Sequence, residues 1–266
     1  MNKFFSIAML LVIQNLIAQE YNSEAAERYK EFLNIKAEKT INNNMGLNKI
    51  TPIDVLEIKR EINLAYQNDP VSILKMKRKS YKDILAESGG DKTKYNMLKK
   101  KKLGGIETKL LRSIKPMLSV QEYNLLTTQM IIKGTVTNII EKREQSIDVM
   151  DRYKDIVYLT IKIKDIIKGN TRIAIDDEIV VFYNKSWLKK NVEWVRDEDY
   201  LFELEFRSRG EKRYEIGLIT YHGNNSGYYP INKEIIFDEE NYFRYGTRIR
   251  YHDMKTNLLS ILKSDE

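Results

Sequence analysis

Between residues 131 and 206, apolar side chains recur at every second position in several short runs, the period of a strand with one face on a core and the other toward water. Leu159, Ile161 and Ile163 alternate with Tyr158, Thr160, Lys162 and Lys164. Tyr200, Phe202, Leu204 and Phe206 alternate with Leu201, Glu203 and Glu205. The pattern predicts strands near 130–141, 156–166, 177–183, 199–207 and 213–221, with a short one near 233–237. Most intervals between them are too short for a crossover helix, which implies antiparallel pairing and a barrel or sandwich. Gly134, inside the first strand, is placed for a bulge or a bend. Lys168-Gly169-Asn170 and Ser208-Arg209-Gly210-Glu211 read as turns, the second as a hairpin. Residues 228–231 and 238–243 read as an irregular arm. Asp253 then caps a final helix with Met254, Leu258, Ile261 and Leu262 on one side.

Upstream of this sheet pattern the period changes to three and four. Ser23 caps a helix carrying Ala26, Tyr29, Leu33, Ala37 and Ile41 along one side, and 42–46 stops it. Thr51-Pro52 and Asp69-Pro70 each set a capping side chain before a proline at the first helical position, where the missing N–H costs nothing. The helix after Thr51 would bury Val55, Ile58, Ile62 and Tyr66. The next would bury Val71, Leu74, Tyr81 and Leu85, and Ser88-Gly89-Gly90 ends it. Ser119 with Glu122 forms a capping box, flanked by Leu118 and Tyr123 as a staple, and opens a short helix to about Thr128.

The first residues follow a different logic. Lys3 precedes an apolar run over 4–18, which ends in Leu16-Ile17-Ala18 before Gln19-Glu20. A basic start, a short apolar centre and a small residue at the cut match a secretory signal, and the run is short of the roughly 20 residues a membrane span needs. The expected product is secreted or periplasmic. It is not a lipoprotein, because there is no cysteine to carry the lipid, and it has no disulfides.

The interval 184–197 carries Trp187 and Trp194 and falls where a five-stranded Greek-key barrel of the OB type places its connecting helix. Ile132-Lys133-Gly134-Thr135-Val136, the strand end Ile166-Ile167-Lys168-Gly169, and Asp199-Tyr200-Leu201-Phe202-Glu203-Leu204 together resemble secreted OB-fold domains of the netrin-like and metalloproteinase-inhibitor kind. The resemblance covers about half the chain. It implies the barrel. In that family an amino-terminal cysteine reaches the protease zinc and disulfides brace the fold, so without cysteine the inhibitory mechanism does not carry over.

The expected architecture is therefore α+β, with a signal peptide at 1–18, a helical region at 19–128 and an OB-like domain at 129–266. The last is a small antiparallel five- to six-stranded barrel with a carboxy-terminal helix. The chain's 42% hydrophobic residues are enough for a real core, and no later apolar run approaches membrane-spanning length. The formal charge is +7, but between Lys75 and Lys115 fourteen Lys and Arg face four acids, a net +10, so the rest of the chain is net acidic. Concentration in one region suits contact with a polyanion. The candidate anion-binding residues are Lys75, Lys77, Arg78, Lys79, Lys99, Lys100, Lys101, Lys102, Lys109 and Arg112. The alternative reading of 99–105 is a solvated helix end and loop. Gly104-Gly105 lacks the spacing of a phosphate loop.

Aromatics are dense over 182–251, and OB barrels stack bases or sugar rings on such side chains. Trp187, Trp194, Tyr228 and Tyr229 are the candidate contacts, against the alternative that they fill and close a small core. His222 and His252 stand alone, and Asp176-Asp177-Glu178, Asp197-Glu198-Asp199 and Asp238-Glu239-Glu240 lack calcium-loop spacing, so no metal, cofactor or catalytic residue is assigned. The favoured reading is a non-enzymatic binding protein for a protein or cell-envelope component. The alternatives are a polyanion binder through 75–115, with nucleic acid, acidic polysaccharide or anionic lipid as ligand, and a secreted OB-fold hydrolase such as a nuclease.

Overall fold

The computed structural model describes residues 23–42, 50–145, 153–169, 171, 173–187, 193–209, 213–219, 227–238 and 244–263. The stretch read as a signal lies outside them. Two compact units hold Tyr21–Thr127 and Thr128–Ser260.

The first unit is helical. Its elements are α1 (Ser23–Asn42), α2 (Pro52–Asn68), α3 (Pro70–Ser88), α4 (Lys92–Lys101), α5 (Leu103–Ile114), a 3₁₀ turn (Lys115–Met117) and α6 (Val120–Thr127). Polar side chains set the boundaries. Thr51 Oγ1 accepts the Asp54 N–H at 3.2 Å, and Asp54 Oδ2 accepts the Thr51 N–H at 3.0 Å. The Thr51 N–H, reinforced by its hydroxyl, holds the Asp54 carboxyl down at about 2. Asp69 serves two helices: its N–H donates to Ala65 O at 2.9 Å to close α2, and its Oδ1 accepts the Ser72 N–H at 3.0 Å to open α3. Gly89, at φ 59°, ends α3 in the left-handed conformation. Ser119 and Glu122 exchange bonds of 2.7 and 3.1 Å at the start of α6.

The core of this unit gathers Tyr29 and Leu33 of α1, Ile58 and Ile62 of α2, Ile73 of α3, and Ile106, Leu110 and Ile114 of α5. Ala26, Val55, Ile58, Ile62 and Val71 are buried as their spacing predicts, and the side chains of Ala37, Ile41 and Tyr81 lie outside the described residues. Two expectations are corrected. Leu85 is 61% exposed while Ile84 is fully buried, because one residue is a 100° step around a helix and Ile73 and Ile84 set the inward stripe. Gly104 and Gly105 open α5 rather than forming a loop, since Ile106, Leu110 and Ile114 at four-residue steps outweigh two poor helix formers. Inside the unit, Glu107 is buried, and its Oε1 accepts from Tyr29 Oη and Tyr66 Oη, each at 2.9 Å, while the Lys77 ammonium pairs with Oε2.

The second unit is a sheet of β1 (Met130–Gln145), β2 (Tyr153–Lys168), β3 (Glu178–Asn184), β4 (Asp199–Arg209), β5 (Arg213–Leu218), β6 (Tyr228–Asn232), β7 (Ile235–Phe237) and β8 (Arg248–Arg250), followed by α7 (Tyr251–Lys263). The strand order is β1-β2-β3-β5-β4-β6-β7-β8, with β1 also paired to β4. The first five strands thus trace a partial ring, and β6 to β8 continue outward from β4. The expected α+β class, with helices ahead of the sheet and one after it, is what the structure has, but the sheet is larger than the expected five or six strands and not all its pairings are antiparallel. Among the described residues there are eight strands, and β3 meets β5 in parallel through Val181↔Ile216 and Phe182↔Gly217. Residues 228–231, read as an irregular arm, belong to β6. The connection after β3 begins with one 3₁₀ turn, Lys185–Trp187, and residues 188–192, within the interval where a connecting helix is expected, lie outside the described residues. Asp253 lies within the first turn of α7, which β8 enters directly.

β1 pairs with β2 along one edge and with β4 along the other, and its register with β2 slips at three places, one of them between Lys133 and Gly134. A β-carbon at Gly134 would lie 2.4 Å from Ile161 Cγ2 and 2.9 Å from the Lys162 carbonyl. β4 divides its other edge. It pairs with β6 over 199–202 and with β5 over 204–209, and the changeover is Glu203, whose N–H donates to Gly227 O at 2.7 Å while its O accepts from Ile219 N at 3.0 Å. Leu201 and Glu203, expected to face water, are fully buried at this crowded strand. Among the described residues no helix is long and apolar enough to cross a membrane.

Two substitutions test this packing. Gly134→Ala forces β1 away from Ile161 and the Lys162 carbonyl, and is expected to cost about 1–3 kcal/mol in urea unfolding. Glu107→Ala leaves the Lys77 charge and two tyrosyl hydroxyls in the helical core with no carboxylate to face, and is expected to cost about 3–5 kcal/mol in the same measurement.

Candidate functional site

In the helical unit, the lysine-rich segment occupies α3, α4 and α5, and each of these helices packs against the other two. Lys75, Lys99, Lys109 and Arg112 are exposed, and Arg78 and Lys102 are half-buried. Lys77 points the other way, its ammonium shared between Glu107 and the Tyr66 hydroxyl. The side chains of Lys79, Lys100 and Lys101 lie outside the described residues. Asp91, at the start of α4, accepts the N–H groups of Thr93 and Lys94 at 2.7 and 3.0 Å, and these two donors hold its carboxyl below the ordinary value.

The aromatic candidates separate. Trp194 reaches over the ends of β3, β4 and β6, with ring centroids 4.6 Å from Tyr228, 5.2 Å from Tyr200, 5.9 Å from Tyr183 and 6.1 Å from Phe202. Its indole N–H donates to Tyr183 Oη at 2.7 Å. Burial pushes the Tyr183 hydroxyl up to about 12, so it stays protonated at any ordinary pH. Tyr229 is the next residue along β6 from Tyr228 and so faces the opposite side, where it is buried with its hydroxyl 3.4 Å from Glu203 Oε2. The Trp187 side chain and all of His222 lie outside the described residues, and His252 is exposed. Tyr183, Tyr200 and Phe202 are themselves buried, so the Trp194 cluster packs this end of the sheet.

A charged strip on β1, β2 and β4 has no counterpart in the sequence pattern. Lys133 is nearly buried, and its ammonium lies 2.6 Å from Glu234 Oε1, 4.0 Å from Asp199 Oδ2 and 4.6 Å from the centre of the Tyr251 ring. Asp199 also accepts from Thr135 Oγ1 at 2.7 Å and Lys164 Nζ at 2.8 Å. One strand over, Asp165 Oδ2 accepts from Tyr251 Oη at 2.8 Å and Lys255 Nζ at 2.6 Å, and Oδ1 from the Ile166 N–H at 2.8 Å. The strip ties the first turns of α7 to β2.

Burial is the largest single influence on Asp165 and opposes its ionisation, but the bonds from Lys255, Tyr251 and Ile166 together outweigh it and hold the carboxyl below its ordinary value. Asp199 follows the same balance, with Lys164 and Thr135 prevailing over burial. Burial first, then Asp165, keeps the Tyr251 hydroxyl protonated far above the usual tyrosine range. The strip can donate, accept and hold charge, but its groups are turned on one another. Among the described residues no group of three His, Cys, Asp or Glu could hold a metal ion.

Carboxyls depressed in the folded state add stability that is complete above their unfolded pKa, near 4, and is lost as pH falls through the folded values. Lys255→Met should therefore lower stability near neutrality by about 1–2 kcal/mol and flatten the acid-side decline, read as urea midpoints across that range.

Compared with known proteins, the chain matches no family model, no curated protein and no solved structure.

Proposed function

We propose that this chain is a secreted or periplasmic, non-enzymatic binding protein whose sheet unit is an OB-like barrel of the general kind found in netrin-like domains. The observation that carries the reading is the circuit of ladders β1–β2, β2–β3, β3–β5, β5–β4 and β4–β1. That circuit supports a five-strand Greek-key barrel, an architecture that hosts binding surfaces on many unrelated proteins. The apolar run at 4–18 supports export, and the lack of a nucleophile, metal or phosphate-loop motif in the sequence supports binding over turnover. The ligand in this reading is a protein or a cell-envelope polymer.

A second reading is favoured by the exposure of Lys75, Lys99, Lys109 and Arg112 on three mutually packed helices. It makes the helical unit a polyanion receptor, with affinity that falls steeply as salt rises, because counterions are released from the ligand.

Both readings are tested by titrating the full chain, at low and high salt, against immobilised cell-wall polymer, acidic polysaccharide and single-stranded oligonucleotide, and analysing each polymer afterwards for cleavage. Saturable binding with the polymer intact is the expected result. Cleavage of a polymer that disappears on replacing a single carboxylate would sink the non-enzymatic reading. Salt-insensitive binding would sink the polyanion one.

A further inference from the structure

The geometry points to the outward surface of α4 and α5 as a docking face for an anionic phospholipid bilayer, a proposal that rests on the polyanion reading and names its partner class. Residues 92–121 contain nine Lys and Arg and a single acid, Glu107. That acid does not reach the surface. It is 6% exposed and takes up Tyr29, Tyr66 and Lys77, the last contributed by α3. Asp91, the acid just before this stretch, has its carboxylate engaged by the first N–H groups of α4. Outward, Lys92, Lys94, Lys99, Lys109, Arg112 and Lys115 are exposed. The two helices therefore present cations to solvent while their one carboxylate is neutralised inside.

Two features favour a lipid surface over nucleic acid. The first is apolar. Met97 is 51% exposed between the α4 lysines, and Met117 and Val120, just beyond α5, are 46% and 50% exposed. Apolar tips among long basic side chains suit the boundary between headgroups and acyl chains, where lysine stems lie along the apolar layer and their charges reach the phosphates. The second is the choice of groups. Eight of the nine cations are lysine, a point charge, where the reading of base edges leans on the planar fork of arginine. Tyr95 is the sole aromatic in 92–121 and is half-buried, and the Tyr123 ring just beyond is taken up by the Lys115 ammonium 4.8 Å from its centre, so neither ring stands out as a stacking platform. A basic cluster of this size gains roughly fivefold in membrane affinity for each lysine near an anionic surface.

The test is co-sedimentation of the full chain with vesicles of phosphatidylcholine alone, or of phosphatidylcholine and phosphatidylglycerol in equal parts, with heparin and duplex DNA titrated in parallel. Binding to the anionic vesicles only, weakened as salt rises, is expected. Combined Lys94→Glu, Lys99→Glu, Lys109→Glu and Arg112→Glu should weaken it at least a hundredfold, and Met97→Ser with Met117→Ser severalfold. Should the quadruple variant lose its helical circular dichroism, Lys94→Glu and Lys109→Glu singly carry the test, each expected to weaken binding fivefold or more. Vesicle binding that survives these reversals overturns this face as the site. Salt-dependent binding to heparin or DNA with none to vesicles overturns the bilayer and leaves the polyanion reading standing. Binding to none of them overturns both.

Discussion

The sheet depends on the backbone of β4. One edge of that strand is taken by β1, and the other is divided between β6 and β5, so three neighbours draw on one line of N–H and C=O groups. A strand can serve two partners along a single edge only if one stops where the other starts. Glu203 is that point, donating toward Gly227 and accepting from Ile219. The fit is tight. A β-carbon on Gly227 would come within 2.7 Å of the Ile219 carbonyl and 2.9 Å of the Glu203 carbonyl. The same crowding removes water from both faces of β4, so that even a carboxylate side chain is buried at its centre.

Charge is handled differently in the two units. In the helical unit, carboxylates are spent on helix ends and on internal lysines. Asp54, Asp69, Asp91 and Glu122 cap, while Glu57 and Glu107 meet the buried or half-buried Lys36 and Lys77. In the sheet unit they are spent on attachment, with Asp165 fastening α7 and Asp199 gathering Lys164 and the nearly buried Lys133. Burying an ammonium is costly unless oxygen atoms surround it, and Lys36, Lys59, Lys77 and Lys133 each have at least one carboxylate in reach. The formal charge therefore hides two populations, one internal and matched, the other external.

Most of the helices were legible because their signals are local. Thr51-Pro52, Asp69-Pro70 and Ser119 with Glu122 act within four residues of themselves, and the structure starts α2, α3 and α6 at each. The long strands were legible because alternation over seven residues, as in 158–164 and 200–206, suits a strand and does not suit a helix, whose period would carry the same side chains around every face. What failed was decided elsewhere in the chain. β6 contains Pro230 and β8 is three residues long, so neither announces itself as a strand in sequence, and each is paired to the edge of a neighbouring strand. The glycines of α5 look like a break until the apolar face behind them is packed. The strip around Lys133 was invisible because its members come from parts of the chain as distant as Lys133 and Tyr251, whose ring faces that ammonium. Of the candidate contacts, Trp194 and Tyr228 converge and Tyr229 does not, a distinction that follows from strand alternation once 228–232 is known to be a strand.

The aromatic closure has a practical corollary. Trp194 is one of two tryptophans in the chain, and its indole sits against four other rings while donating to a phenol oxygen. Excitation absorbed by Tyr183, Tyr200 or Tyr228 can pass to it by resonance transfer, which falls away sharply once those rings separate. The end of the sheet thus contains its own optical gauge, readable without a dye or a label.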